Sequence, residues 1–269
     1  MLMKVTHKST IQMKHVEPYF EQDLAFTYYK EELDERGKCT SKELTREVLI
    51  DYIGVVDTLH KYQICCDACD IVTKRYSDVT NELFIKLDFV FTLLVVSADA
   101  KGNLIRLHNF PYLQQEWLDL KASLADDYDE SDADSWEMIH VMDVLMKDYN
   151  TVLNYIQSPE MYGLFFNGYW NIKDNEFINV YYGKELQQIM VEEQMHTTTR
   201  ELGTQQFVEI NIEGNTKQLS ELISYIGNCT YIDGALNMCQ KRIDLGSIKF
   251  NYSARWVGLK KRFQGLSAE

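Results

Sequence analysis

Three neighbouring cysteines, Cys65, Cys66 and Cys69, are the first residues whose type and spacing suggest chemistry. A structural zinc site needs four ligands, commonly two C-x-x-C or Cys/His pairs. The other cysteines, Cys39, Cys229 and Cys239, are distant in sequence and unpaired. From Gly54 to about Tyr76 the apolar residues recur at helical spacing. The three thiols fall on the arc of Val55, Leu59, Tyr62 and Val72, and His60 falls opposite. Cysteine on an apolar face packs as a small hydrophobe, so the cluster reads as core and no metal is assigned.

Two E-x-x-H tetrads follow, Glu137 to His140 and Glu193 to His196. Paired on facing helices, such tetrads build di-iron carboxylate sites. Glu137 and His140 lie away from the apolar stripe of their helix, and Thr197-Thr198-Thr199 favours a strand around the second tetrad. Both read as surface residues. The chain has no G-x-S-x-G, P-loop, G-x-G-x-x-G or H-E-x-x-H motif. No catalytic residue and no cofactor is assigned. A hydrolase-like enzyme whose groups converge from distant segments is an alternative.

Two stretches suit protein binding. Asp126, Asp127, Asp129, Glu130, Asp132 and Asp134 place six carboxylates in nine residues. They lack the glycine and closing glutamate of an EF-hand, which leaves a solvated loop or a docking patch that accelerates association with a cationic surface. Tyr162, Phe165, Phe166, Tyr169 and Trp170, interleaved with Gly163 and Gly168, are of the types found at interface hot spots. An internal aromatic plug uses the same residues. Lys260-Lys261-Arg262 is a small basic patch against the general charge, suited to a local salt bridge.

The formal charge of −14 disfavours nucleic acid and anionic membranes and favours a partner with a basic surface. Self-association is left open. The opening residues lack the apolar run of a secretory signal. The longest apolar run, Phe89 to Ala98, is far shorter than the about 20 residues of a membrane span. Six cysteines without an export signal then read as reduced thiols in a cytoplasmic protein.

These groups need elements to hold them. Leu24–Leu33 and Leu44–Ile53 read as a hairpin around Asp34–Lys38, followed by the cysteine helix, strands at Leu83–Ser97 and Asn103–His108, and a helix from Pro111 to about Tyr128. A second helix spans about 134–156. Strands follow at about 177–182, 188–200 and 205–213, then a short helix at 216–226 and strands at about 229–243 and 247–258. Element order predicts an α+β fold: antiparallel sheets from two duplicated ββαββ units with a helical pair between them. The divisions are 1–110, 111–170 and 171–269, or all three form one compact domain. The passage Leu104–Trp117, with Asn109-Phe110-Pro111 opening a helix, looks like uncharacterised bacterial proteins, some associated with secretion and toxin systems. The expected function is therefore non-catalytic protein binding, of adaptor, chaperone or inhibitor type. A structural subunit of a larger assembly such as a secretion apparatus is a further alternative.

Overall fold

Alternation of apolar and polar residues is the organising signal of this chain. The computed structural model describes residues 5–6, 21–34, 36–73, 78–124, 133–170, 172–182, 190–216 and 222–257. In β2 (Glu21–Leu33), Leu24, Phe26 and Tyr28 point to a buried face and the residues between them point away. It pairs with β3 (Cys39–Val56) across the expected turn, where the Asp34 carboxylate accepts from the backbone N–H groups of Arg36 and Lys38. A two-residue strand, β1 (Val5–Thr6), lies elsewhere, against β8 (Met190–Leu202).

The cysteine helix is overturned. Residues 59–73 form β4 (Leu59–Thr73), paired with β3 through a turn at Asp57 and Thr58, both with positive φ. Val48 faces Cys66 and Glu47 faces Ala68, so Asp67 is a bulge. The bulge shifts the parity of the strand. Tyr62, Cys66 and Cys69, all on the covered face, are thereby spaced as on a helix.

The next elements are α1 (Asp78–Asp88), a 3-10 turn at Phe89–Phe91, β5 (Leu93–Ala98) and β6 (Leu104–Leu107). Thus the expected strand at Leu83–Ser97 is helical in its first half. The helical pair comprises α2 (Phe110–Leu124) and a second part broken into α3 (Ala133–Leu145) and α4 (Tyr149–Ile156). The break is an N-cap: the Asp148 side chain accepts from the Thr151 N–H at 2.7 Å. Residues 157–172 then cross the sheet to β7 (Phe177–Tyr181), which leads to β8.

Beyond β8 the chain meanders through β9 (Gln205–Asn215), β10 (Ser224–Ile232), β11 (Ala235–Asp244) and β12 (Ile248–Trp256). The single strand expected at 229–243 is a hairpin turned at Asp233-Gly234, both with positive φ. The helix expected at 216–226 gives way to strand from Ser224; residues 217–221 lie outside the described residues. β12 hydrogen-bonds β2, so both ends of the sequence share one antiparallel sheet, ordered β1-β8-β9-β10-β11-β12-β2-β3-β4-β5-β6 with β7 also on β8. The α+β expectation of two ββαββ units therefore fails. One large sheet organises the chain, and among the described residues α1 to α4 and the 157–170 segment pack on one of its faces.

Candidate functional site

The covered face holds two buried ionic clusters. In the first, Glu193 on β8 and Lys241 on β11 are 0% and 1% exposed, with the ammonium 2.7 Å from the carboxylate. Tyr169 donates to the same carboxylate at 2.5 Å, and Tyr225 on β10 donates to it as well. The Tyr182 hydroxyl meets that of Tyr225, and the Lys241 ammonium lies over the Tyr169 ring. Gly214 on β9 makes this possible, because a Cβ there would come within 2.3 Å of the Tyr225 ring. Burial, then the Glu193 charge, pushes the hydroxyls of Tyr169, Tyr182 and Tyr225 well above the ordinary tyrosine value. All three remain protonated, Tyr169 and Tyr225 as donors to the paired carboxylate and Tyr182 bonded to the Tyr225 hydroxyl.

The second cluster sits under α4. Arg46 on β3, 2% exposed, grips Asp88 through Nε (2.7 Å) and Nη2 (2.5 Å), and its Nη1 donates to the Glu160 carbonyl at 2.6 Å. Burial lowers the Arg46 pKa, and Asp88 more than offsets it, so the guanidinium is held charged. The free thiols of Cys66 and Cys69 lie beside this pair. Burial, then Asp88, pushes Cys66 up to about 11, and the same causes raise Cys69. Protonated thiols are poor nucleophiles and poor metal ligands. Among the described residues no group of three or more His, Cys, Asp or Glu side chains is arranged to hold a metal.

The aromatic segment closes both clusters from above. Tyr162, Phe165, Phe166 and Tyr169 are buried and Trp170 is partly buried, so these candidate binding residues are the internal plug, not an exposed surface. Asn167 fixes its path, donating to Leu164 O and Tyr231 Oη and accepting from the Tyr169 N–H. Of the acidic candidates, Asp126, Asp127, Asp129, Glu130 and Asp132 lie outside the described residues; Asp134 falls in the first turn of α3. Glu193 is no surface residue: on a strand, positions three apart face opposite ways, so Glu193 is buried and His196 is exposed. Cys229 and Cys239, register partners on β10 and β11, form a disulfide. The expectation of six separate thiols therefore fails for this pair, while Cys39, Cys65, Cys66 and Cys69 are free thiols.

Sequence reasoning also missed a Ser–His pair, Ser97 Oγ to His108 Nε2 at 2.7 Å. Ser97 is 1% exposed, and no carboxylate among the described residues bonds the other ring nitrogen. Partial desolvation, then Lys61 and Arg106, lowers the His108 pKa. A nucleophile must present its oxygen to a substrate, and this one is covered.

The second face of the sheet is polar. One register row crosses eight strands: His196, Asn211, Asn228, Gln240, Ser253, Thr27, Thr45 and Asp70. On the β8–β12 half of this face, Arg200, Arg242, Lys249 and Arg255 balance Glu192, Glu209, Glu213 and Asp244, with Arg200–Glu209 and Lys249–Asp244 ion pairs. The β2–β4 half is acidic, with Glu21, Asp23, Glu31, Glu43, Glu47, Asp51 and Asp70 against Lys61. No stretch of sequence shows this patch, because each carboxylate is an isolated outward position of an alternating strand.

No protein-family model matches this chain, and neither does any curated protein. Among solved structures it is similar to a chain from work on lipid–protein interactions in lipovitellin, with 7% identity and a TM-score of 0.46. The match covers 91% of this chain and 26% of the other, so this chain spans about a quarter of that length. A likeness of that degree carries no argument about function. No helix among the described residues is long and apolar enough to cross a membrane.

Proposed function

We propose that this protein is a non-catalytic recognition module that binds the basic surface of another protein through the outer face of β2, β3 and β4. The observation that supports this most is the division between the two faces. The clustered ionisable groups, Arg46–Asp88 and Glu193–Lys241 with its tyrosines, are sealed under the 157–172 segment, while single carboxylates stand outward on three adjacent strands. Enzymes present shifted groups to a cleft; here Arg46 and the shifted tyrosine hydroxyls of the two ionic clusters lie away from solvent. A rigid sheet carrying like charges suits electrostatic steering of a cationic partner.

Capture from native cell extract tests the reading, with the wild-type chain and a Glu43→Lys/Asp70→Lys variant as parallel baits. A partner held by the wild type and lost by the variant supports this face as the binding surface. A partner held equally by both baits removes the face from the proposal.

A further inference from the structure

A strand with a neighbour on one side only leaves a row of backbone donors and acceptors for another chain. β4 runs beside β3 from Leu59 to Thr73, but β5 accompanies it only from His60 to Cys65. The Cys66 N–H donates to the Thr92 carbonyl at 2.8 Å, and there that neighbour ends. From Asp67 to Val72 no strand among the described residues lies on the β5 side. Alternate residues of an antiparallel strand turn their N–H and C=O groups to opposite sides, so about half of these groups face outward from the sheet.

α1 sits above the covered face: its Phe84 ring lies under the Lys42 ammonium and its Asp88 reaches Arg46, two residues of β3 that point to that face. Asp67, Ala68, Asp70 and Val72 are exposed, and so is Phe89, whose carbonyl accepts from Thr92 at the start of the open edge. The edge is also anionic. Asp67 and Asp70 join no ion pair or side-chain hydrogen bond among the described residues, and the exposed Glu43 is the register partner of Val72. A second copy of this chain is a poor occupant, because pairing two such edges sets aspartates against one another across adjacent strands. A cationic strand satisfies both the backbone and the charge.

We propose that the β4 edge over Asp67–Val72 holds its partner by strand addition, taking an extended segment with Lys or Arg at alternate positions and apolar residues between them. This rests on the recognition of a basic partner proposed above and states how that partner is gripped at the rim of the acidic face. Main-chain hydrogen bonds supply the affinity, and Asp67, Asp70 and Glu43 select the cations. Val72 and Phe89 add apolar contact at the two ends of the edge.

The probe is a capped peptide of about ten residues with alternating Lys and Val, and the readout is amide hydrogen exchange of the full chain by NMR. In the free chain about every second amide from Asp67 to Val72 should exchange quickly, and peptide at ten times its Kd should slow those amides about tenfold. Uniform protection of this stretch in the free chain, or no slowing at millimolar peptide, would each overturn the proposal. The same peptide with its backbone N-methylated keeps the charge but donates no hydrogen bond to the edge. It should bind at least about tenfold more weakly, since each lost bond is worth about 1 kcal/mol. Equal binding refutes strand addition and leaves recognition of a basic surface standing, so the two failures are read separately. The Asp67→Asn/Asp70→Asn variant should bind the unmethylated peptide several-fold more weakly, up to about fivefold for each exposed pair lost; an unchanged Kd refutes the cationic occupant. Both peptide arms use the wild-type chain, so they stand even if the variant does not fold.

Discussion

Replacing Lys241 by Met is the sharpest probe of the buried carboxylate. Methionine is close to lysine in length and fills much of its space, so the change removes the charge with little loss of packing. Glu193 would keep its bonds from Tyr169 and Tyr225 but lose the cation 2.7 Å away, at a site with no solvent exposure. Removing one partner of a buried pair typically costs about 3 to 5 kcal/mol, because the other charge is left uncompensated. Two hydroxyl donors remain, which places the expectation near the lower end, at about 3 kcal/mol. At roughly 2 to 4 °C per kcal/mol for a chain of this size, the midpoint should fall by about 6 to 12 °C.

The assay is urea and thermal unfolding of four proteins: wild type, Lys241→Met, Glu193→Gln and the double variant. The double variant should be less destabilised than the two single changes summed, with a coupling of about 1 to 3 kcal/mol. A Lys241→Met chain that loses less than about 1 kcal/mol, or single effects that simply add, would refute the claim that these charges hold one another inside the sheet.

Three other outcomes follow from the same core. Burial raises the hydroxyls of Tyr62, Tyr155, Tyr162, Tyr169, Tyr182, Tyr225 and Tyr231. A pKa raised in the fold means stability complete below the unfolded value of about 10 and lost as pH climbs beyond it. Absorbance at 295 nm should therefore show these tyrosines ionising in one step together with unfolding, and a smooth titration near pH 10 would count against their burial. Gly214→Ala should destabilise by about 1 to 3 kcal/mol in thermal unfolding by pushing on the Tyr225 ring, and much less when Tyr225 is already alanine. Phe166→Ala should cost about 3 to 5 kcal/mol in chemical unfolding; an unchanged midpoint would mean that this ring is not core.

The hairpin at Asp34–Lys38 was legible because alternation and turn chemistry agreed there. The cysteine segment was not, because the Asp67 bulge gave a strand the spacing of a helix. The turn at Asp233-Gly234 carried a strong hairpin dipeptide between alternating runs, and a single long strand was expected across it nonetheless. The break at Asp148 was equally visible as an aspartate three residues before Thr151, and the continuous apolar stripe across it hid the cap. With the cysteine segment read as helix and the two later strands fused, the meander resembled a repeated unit. The pairing of β12 with β2 had no local signal at all, since it joins residues more than 200 positions apart. Arg46, Glu193 and Lys241 were invisible as core for the same reason: charge argues for the surface unless the partner is known.

The internal pairs also bear on the outside of the molecule. Arg46 neutralises Asp88 and Lys241 neutralises Glu193, so both buried clusters are close to neutral and the formal charge of −14 stays with the rest of the chain. Among the described residues that charge is uneven: the outward charges of β8–β12 are matched in number, while those of β2–β4 are mostly acidic. Like charges on neighbouring strands repel and weaken the sheet they stand on. The strands tolerate this because Leu24, Phe26, Tyr28, Val48, Ile50, Tyr62 and Ile64 are buried on their other face. On the proposed reading, stability and recognition are carried by opposite faces of the same three strands. A charge reversal at Glu43 or Asp70 should therefore alter association while leaving the unfolding midpoint within about 0.5 kcal/mol of wild type. A large loss of stability from either change would show that the outer face is bound into the fold.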